Sequence, residues 1–231
     1  MTIPAHVRDN RGLLAEPERR LLIWLARRLP ASMTSDHLTA LALAAMAAAG
    51  VGFACLRLAP PWGAAVVVVA LAVNWFGDSL DGTLARVRDQ QRPRYGFYVD
   101  HVIDLAGITF LMAGLAVSGV MRPTIALALL AAYVLVAAES FLAAHAAGVF
   151  RMSFLRFGPT ELRIVLAIGA IALVGDPRVR LGIVPPMPLF DFGGLVALVG
   201  LGLAFATAGI QNTRALYRAE PLPRPGDRRA A

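Results

Sequence analysis

The sequence predicts an all-α integral membrane protein, with six transmembrane helices preceded by an N-terminal amphipathic interfacial helix. Three observations carry this. Of the 231 residues, 58% are hydrophobic and only 16% charged, whereas a soluble domain has about a quarter of its residues charged. The mean hydropathy is +0.64. Finally, the apolar residues fall in runs near the length of about 20 that a helix needs to cross a bilayer core of about 30 Å. The net charge of +7 comes from 22 arginines and no lysine. These arginines sit between the apolar runs, the pattern of membrane topology, so no nucleic-acid partner is expected.

The first element is Glu16 to Leu29, which mixes Leu21, Leu22, Trp24, Leu25 and Leu29 with Arg19, Arg20, Arg27 and Arg28. That mixture reads as an amphipathic helix in the headgroup layer, stopped by Pro30. The alternative is an ordinary positive flank. Six spans follow, at about His37–Leu56, Trp62–Leu84, Phe97–Val120, Pro123–Val149, Pro159–Gly175 and Phe190–Leu216. The fifth is the shortest. Short connections make consecutive helices antiparallel neighbours. The expected organisation is a segment 1–36 with the juxtamembrane helix, a six-span domain 37–218 and a disordered tail 219–231 rich in Pro and Arg. Cys55 stands alone in an apolar run, so no disulfide is expected within the chain.

Orientation follows from the arginines. The N-terminal segment, the 84–97 loop, the 148–163 region and the C-terminal tail hold 18 of the 22. The other side holds Arg57, Arg122, Arg178 and Arg180. Both termini and the 84–97 loop are therefore expected in the cytoplasm. A Lys-free, Ala- and Arg-rich composition points to a GC-rich bacterial genome, and hence to the bacterial cytoplasmic membrane.

Carboxylates inside the spans are the unusual feature. Asp78 and Asp81 lie near the end of the second span, and Asp100 and Asp104 near the start of the third. Spacings of three and four put each pair on one helical face. Asp78 lies about 24 Å along its helix at 1.5 Å per residue, toward the cytoplasmic side, and the third span starts on that side. Four carboxylates can thus face one another across one helix pair. Each charge costs at least about 2.5 kcal/mol on insertion scales, so protonation or bound cations must neutralise them. All-oxygen ligands suit Mg²⁺ or Mn²⁺, and four carboxylates suit two such ions. His101 follows Asp100 by one residue and leaves that face. Gly82 and Gly96 permit close approach of a nucleotide or phosphate to the backbone, or else close helix packing. Arg86, at the membrane surface, is placed to contact phosphate or to brace an acidic ligand.

Asp78-x-x-Asp81-Gly82-x-x-Ala85-Arg86, then nine residues, then Gly96-x-x-x-Asp100-x-x-x-Asp104 places eight fixed positions in 27 residues. This resembles the signature of the CDP-alcohol phosphotransferase (CDP-alcohol phosphatidyltransferase) family. The six-span layout and the preceding amphipathic helix are similar too. The nine-residue gap is one longer than is usual for the family, which affects the placing of Arg92 and Arg94.

The resemblance implies a metal-dependent transfer of a phosphoalcohol from a CDP-alcohol to a hydroxyl acceptor, with release of CMP, in phospholipid synthesis. Asp78, Asp81 and Asp100 then look like metal ligands, and Asp104 a further ligand or the general base. Gly82 and Ala85 make room for the cytidine phosphate. Asn74, one turn before Asp78, bonds either the nucleotide or a neighbouring helix. A homodimer is implied as well. The donor is of the CDP-diacylglycerol type or the CDP-choline/ethanolamine type, and the dipeptide Asp100-His101 is similar to a pair in the choline and ethanolamine enzymes. Candidate acceptor residues are Glu139 and His145, which alternatively pair helices. Arg151 and Arg156 are also candidates, and alternatively serve only as topological charges. Two other classes also place acidic groups in a membrane. A transporter has them nearer the midplane. An aspartate-rich prenyltransferase has differently spaced motifs and would release pyrophosphate.

Overall fold

The computed structural model of the chain describes residues 15–147, 159–175, 177–181 and 184–220. Among the described residues, seven α-helices run in order: α1 (Ala15–Ala26), α2 (Ser35–Cys55), α3 (Pro60–Val87), α4 (Pro93–Ser118), α5 (Pro123–Ala147), α6 (Pro159–Ala172) and α7 (Leu189–Ala219). Their ends follow local chemistry. Thr34 caps α2 in a reciprocal box with His37, a signal present in the sequence as a Thr three residues before a polar partner. Prolines open α3 and α4, where the missing N–H has no intrahelical partner to lose. Gly119, at φ 72°, ends α4 in the left-handed conformation.

Among the described residues, five helices, α2, α3, α4, α5 and α7, are long and apolar enough to cross a membrane. The fifth expected span differs. Helix α6 has 14 residues, about 21 Å at 1.5 Å per residue, and continues as a short 3₁₀ turn, Leu173–Gly175. The Gly175-Asp176-Pro177 sequence stops it there. A second difference follows: β1 (Arg178–Leu181) and β2 (Val184–Pro188) form an antiparallel hairpin, with Arg178 opposite Pro188 and an irregularity between Val179 and Leu181. Three prolines in β2 hide its strand character from the sequence. Helices α3 and α4 also extend beyond the expected spans, which makes Arg86 and Gly96 helical.

Helix α2 packs against both α3 and α4, α5 against α4 and α7, and α6 against α3. Gly50 and Gly114 let α2 and α4 touch backbone to backbone, since a Cβ on either would overlap the carbonyl region of the other helix. The main core gathers Phe53, Leu56, Val67, Leu111, Leu115 and Phe190. A second cluster joins Leu22 and Ala26 of α1 to Leu38, Leu80 and Leu84. Outward-facing side chains are large and apolar: Leu142 is 69% exposed and Val199 64%. Such a continuous apolar exterior suits lipid rather than water.

Helix α1 lies against the bundle with one side. Leu22 and Ala26 are buried, while Leu21 and Trp24 are exposed and Arg28 lies over the Trp24 ring at 3.7 Å. Glu18 accepts hydrogen bonds from Trp75 Nε1 at 2.7 Å and Thr160 Oγ1 at 2.9 Å, tying α1 to α3 and α6. At the opposite end of the bundle, Asp191 is 2% exposed. It accepts a 2.7 Å hydrogen bond from the Arg122 backbone N–H. Its other oxygen forms a 3.2 Å ion pair with Arg122 Nε, a contact of charge rather than an aligned hydrogen bond.

Candidate active site

The end of α3 and the start of α4 bring the four aspartates to one end of the bundle, all half-buried. The charges of Asp78 and Asp100 both act on Asp81. The Tyr133 phenol on α5 lies within electrostatic reach of Asp104, Asp78, Asp100 and Arg163. Tyr133 carries no sequence signal, because one Tyr in an apolar helix reads as packing.

Asp81 is held on both oxygens. Thr39 Oγ1 donates to Oδ2 at 2.8 Å, and the Gly82 backbone N–H donates to Oδ1. Ser35 Oγ donates to the Asp81 carbonyl at 3.0 Å, so the first turn of α2 is laced to this part of α3. Asp78 Oδ2 accepts from Arg163 Nη2 at 2.6 Å. Their side chains are 15% exposed for Arg163 and 20% for Asp78. Sequence reasoning counted Arg163 only as a topological charge. Its position four residues after Pro159, inside an apolar run, was the signal for a specific partner.

Asn74 is buried. Its Nδ2 donates to the Ala42 carbonyl of α2 at 3.0 Å and its Oδ1 accepts from Arg163 Nε at 2.7 Å. Both ends of the amide thus meet protein groups, the interhelical alternative raised for it. Gly82 and Gly96 are not packed against a neighbouring helix. A Cβ on Gly82 would meet only the Arg86 guanidinium, at 3.6 Å, and one on Gly96 would meet nothing within 4 Å. Arg86 itself is exposed and donates to Thr83 Oγ1 at 3.1 Å.

The loop between α3 and α4 is pinned by arginines. Arg88 donates to the carbonyls of Leu29, Pro30 and Met33 between α1 and α2. Arg92 grips both oxygens of Asp36, at 2.5 and 2.7 Å, and lies 4.0 Å over the Tyr95 ring. The hydrogen bond to Asp36 holds the Arg92 guanidinium pKa above its usual value. Thr34, Ser35, Asp36, Leu84, Ala85, Gln90, Gln91 and Arg92 line a pocket of about 390 Å³ here. Ala85 therefore lines open volume at the α3–α4 loop, a pocket whose lining includes none of the four aspartates.

Two of the acceptor candidates, Glu139 and His145, lie on α5. Glu139 accepts from Asn212 Nδ2 at 2.7 Å, linking α5 to α7. His145 is exposed near the end of α5. Arg151 and Arg156 lie outside the described residues. His101 packs its ring on Phe97 and edge-on to Phe141, at centroid distances of 4.2 and 5.0 Å. Through Phe141 it joins α4 to α5.

The donor set is right in kind for a hard divalent cation, being carboxylate oxygen throughout. Among the described residues, no three His, Cys, Asp or Glu side chains converge to hold a metal ion as placed. Asp78 and Asp81 instead engage Arg163, Thr39 and Gly82. The residues fit such an ion by chemistry and neighbourhood, with side-chain rotation needed to close a coordination shell.

No curated protein matches the chain. The model of the CDP-alcohol phosphatidyltransferase family matches residues 33–206, from just before α2 into α7 and across all four aspartates. The chain therefore belongs to the CDP-alcohol phosphatidyltransferase family, membrane transferases that move a phosphoalcohol from a CDP-alcohol in phospholipid synthesis.

Proposed function

We propose that the chain transfers a phosphoalcohol from a CDP-alcohol to a hydroxyl acceptor, with release of CMP, at the aspartate end of α3 and α4. The observation that carries this reading is the open space at Gly82 and Gly96, beside four aspartates. Packing does not require glycine at either position, which leaves approach of a ligand to the backbone as its use. The pocket beside Ala85 supplies volume for the nucleotide.

Asp78, Asp81, Asp100 and Asp104 would hold two Mg²⁺ or Mn²⁺ ions, whose chemistry there is neutralisation of the donor pyrophosphate and of the charge on departing CMP. Asp104 is the general base: it takes the acceptor hydroxyl proton as that oxygen bonds to the β-phosphorus and the bond to CMP breaks. Gly82, Ala85 and Gly96 accommodate the nucleotide and its phosphates. Arg86 contacts phosphate, and Asn74 supports the site from behind. Arg151, Arg156, Glu139 and His145 remain the candidates for the acceptor side. The protein works as a six-span homodimer, with α6 and its 3₁₀ turn as the fifth span and α1 in the headgroup layer. Both termini and the site face the cytoplasm of a bacterium.

The test is CMP release by the purified protein in detergent. CDP-diacylglycerol or CDP-choline serves as donor, with Mg²⁺ or Mn²⁺, across a panel of alcohols that includes diacylglycerol. Metal-dependent CMP release establishes the reaction, and the productive pair sets the direction of headgroup transfer. Folded, metal-binding protein that releases no CMP from any pair refutes it.

A further inference from the structure

The Arg163–Asp78 pair is more than a fastening between α6 and α3. Apolar contacts through Ala170, Leu173 and Leu166 already dock α6 on the core. A half-buried ion pair adds little net stability over a well-packed apolar contact, because both charges must be desolvated. What the pair does add is direction. Asn74 and Asp78 are four residues apart on one face of α3, and the guanidinium spans both, Nε on Asn74 and Nη2 on Asp78. Asn74 is fixed in turn by the Ala42 carbonyl. A continuous chain of hydrogen bonds thus runs from the backbone of α2, through Asn74 and Arg163, to one oxygen of Asp78. Two-point contact fixes the guanidinium plane, which a single ammonium cannot do. The pair uses Oδ2, and a carboxylate has a second oxygen, Oδ1, to offer elsewhere.

We infer that Arg163 is a positioning residue that orients Asp78, holding Oδ2 so that Oδ1 is presented to a divalent cation. This rests on the reading of Asp78 as a metal ligand. Removing such an outer partner of a ligating carboxylate weakens metal affinity by about 10- to 100-fold. The competing physical effect has the opposite sign. If the guanidinium acted mainly as a rival cation, deleting it would tighten metal binding by relieving repulsion.

The experiment is a Mn²⁺ titration of the purified full chain in detergent, read by the loss of the free-ion electron paramagnetic resonance signal, alongside thermal unfolding. Five proteins are compared: the native chain, Arg163→Met, Arg163→Lys, Asn74→Leu and Asp81→Asn. Arg163→Met is expected to weaken Mn²⁺ binding by about 10- to 100-fold, with a lower melting temperature because the part-buried Asp78 carboxylate loses its partner. Arg163→Lys keeps the charge but loses the fork, so it too should bind more weakly than native. Asn74→Leu leaves the ion pair but removes its brace, giving a smaller loss. These last two carry the test if Arg163→Met does not fold. Unchanged or tighter binding in the Arg163 variants, with Asp81→Asn still abolishing it, overturns the inference alone. Full recovery by Lys overturns it in favour of charge. No saturable Mn²⁺ binding by the native chain overturns the metal reading and this inference together.

Discussion

Gly82→Ala and Gly96→Ala separate a ligand-driven glycine from a packing glycine. A methyl at Gly82 would lie 3.6 Å from the Arg86 guanidinium, an ordinary contact, and at Gly96 it would meet nothing within 4 Å. Neither substitution has a steric cost to the fold. Both sites are helical, so each gains up to about 0.5–1 kcal/mol from the lower backbone entropy of alanine. Stability should therefore hold or rise. Donor handling should not. If the phosphates or nucleotide lie against that backbone, the methyl intrudes on them, and an overpacking term of about 1–3 kcal/mol amounts to about a 5- to 150-fold loss in kcat/KM for the donor. The assay is CMP release against donor concentration, with thermal unfolding of the same preparations. Native kinetics in both variants would refute the reasoning. So would a fall in melting temperature that tracks the loss of activity, since that is the signature of packing.

Gly77→Ala should behave in the opposite way: its Cβ would sit 2.6 Å from the Leu38 carbonyl and 3.0 Å from the Ala42 methyl. Forcing α2 from α3 should cost about 1–3 kcal/mol, read as a lower melting temperature, and an unchanged one would show that the helices separate freely. Asp191→Ala removes the buried acceptor of the Arg122 N–H and should destabilise by about 1.5–3 kcal/mol. Because the residue lies at the opposite end from the aspartates, CMP release per folded molecule should stay native, and a selective loss of turnover would contradict that separation. Asp104→Asn should reduce turnover far more than donor binding, measured by nucleotide titration beside CMP release. Equal losses would make Asp104 chiefly a ligand.

Much of this architecture was legible because it rests on local pattern. Hydropathy and run length mark α2, α3, α4, α5 and α7, and the three- and four-residue spacings put each pair of aspartates on a shared helical face. The fifth span was less legible, because an apolar stretch of this length does not reveal that its last turn tightens into 3₁₀ geometry ahead of a Pro-rich hairpin. The partners of the site were not legible at all. Thr39 and Asp81 are 42 residues apart, Arg163 and Asp78 85, and Thr160 and Glu18 142. Such pairings are products of the tertiary fold, and no window along the chain contains both members. Arg163 shows the consequence most clearly, since charge counting assigned it to topology and the fold gave it two named acceptors. Asn74 and Glu139 teach the same lesson from the other side: a polar residue in a span announces a partner without saying whether it is a ligand or a helix.

The two kinds of glycine in α3 explain how one helix can be both wall and site. Gly77, Leu80 and Leu84 recur at intervals of three and four and are buried together toward α1 and α2. Asn74, Asp78 and Gly82 recur at intervals of four on another face. At 100° per residue, Gly82 points about 140° away from Gly77. The closed face fixes where the helix lies, since Gly77 admits no side chain and Leu38 fills the space beside Leu80 and Leu84. Arg163 of α6 donates to Asp78, and Thr39 of α2 and the Gly82 N–H of α3 donate to Asp81. A charged cluster in a membrane protein would repel itself apart on a pliant scaffold. Here α3 and α4 each lie close against α2, with glycines at the contacts that leave no room to shift on that side. Arg163 offsets the charge of Asp78, and protonation or a cation on the open side would offset the rest, the second being what the proposed site requires.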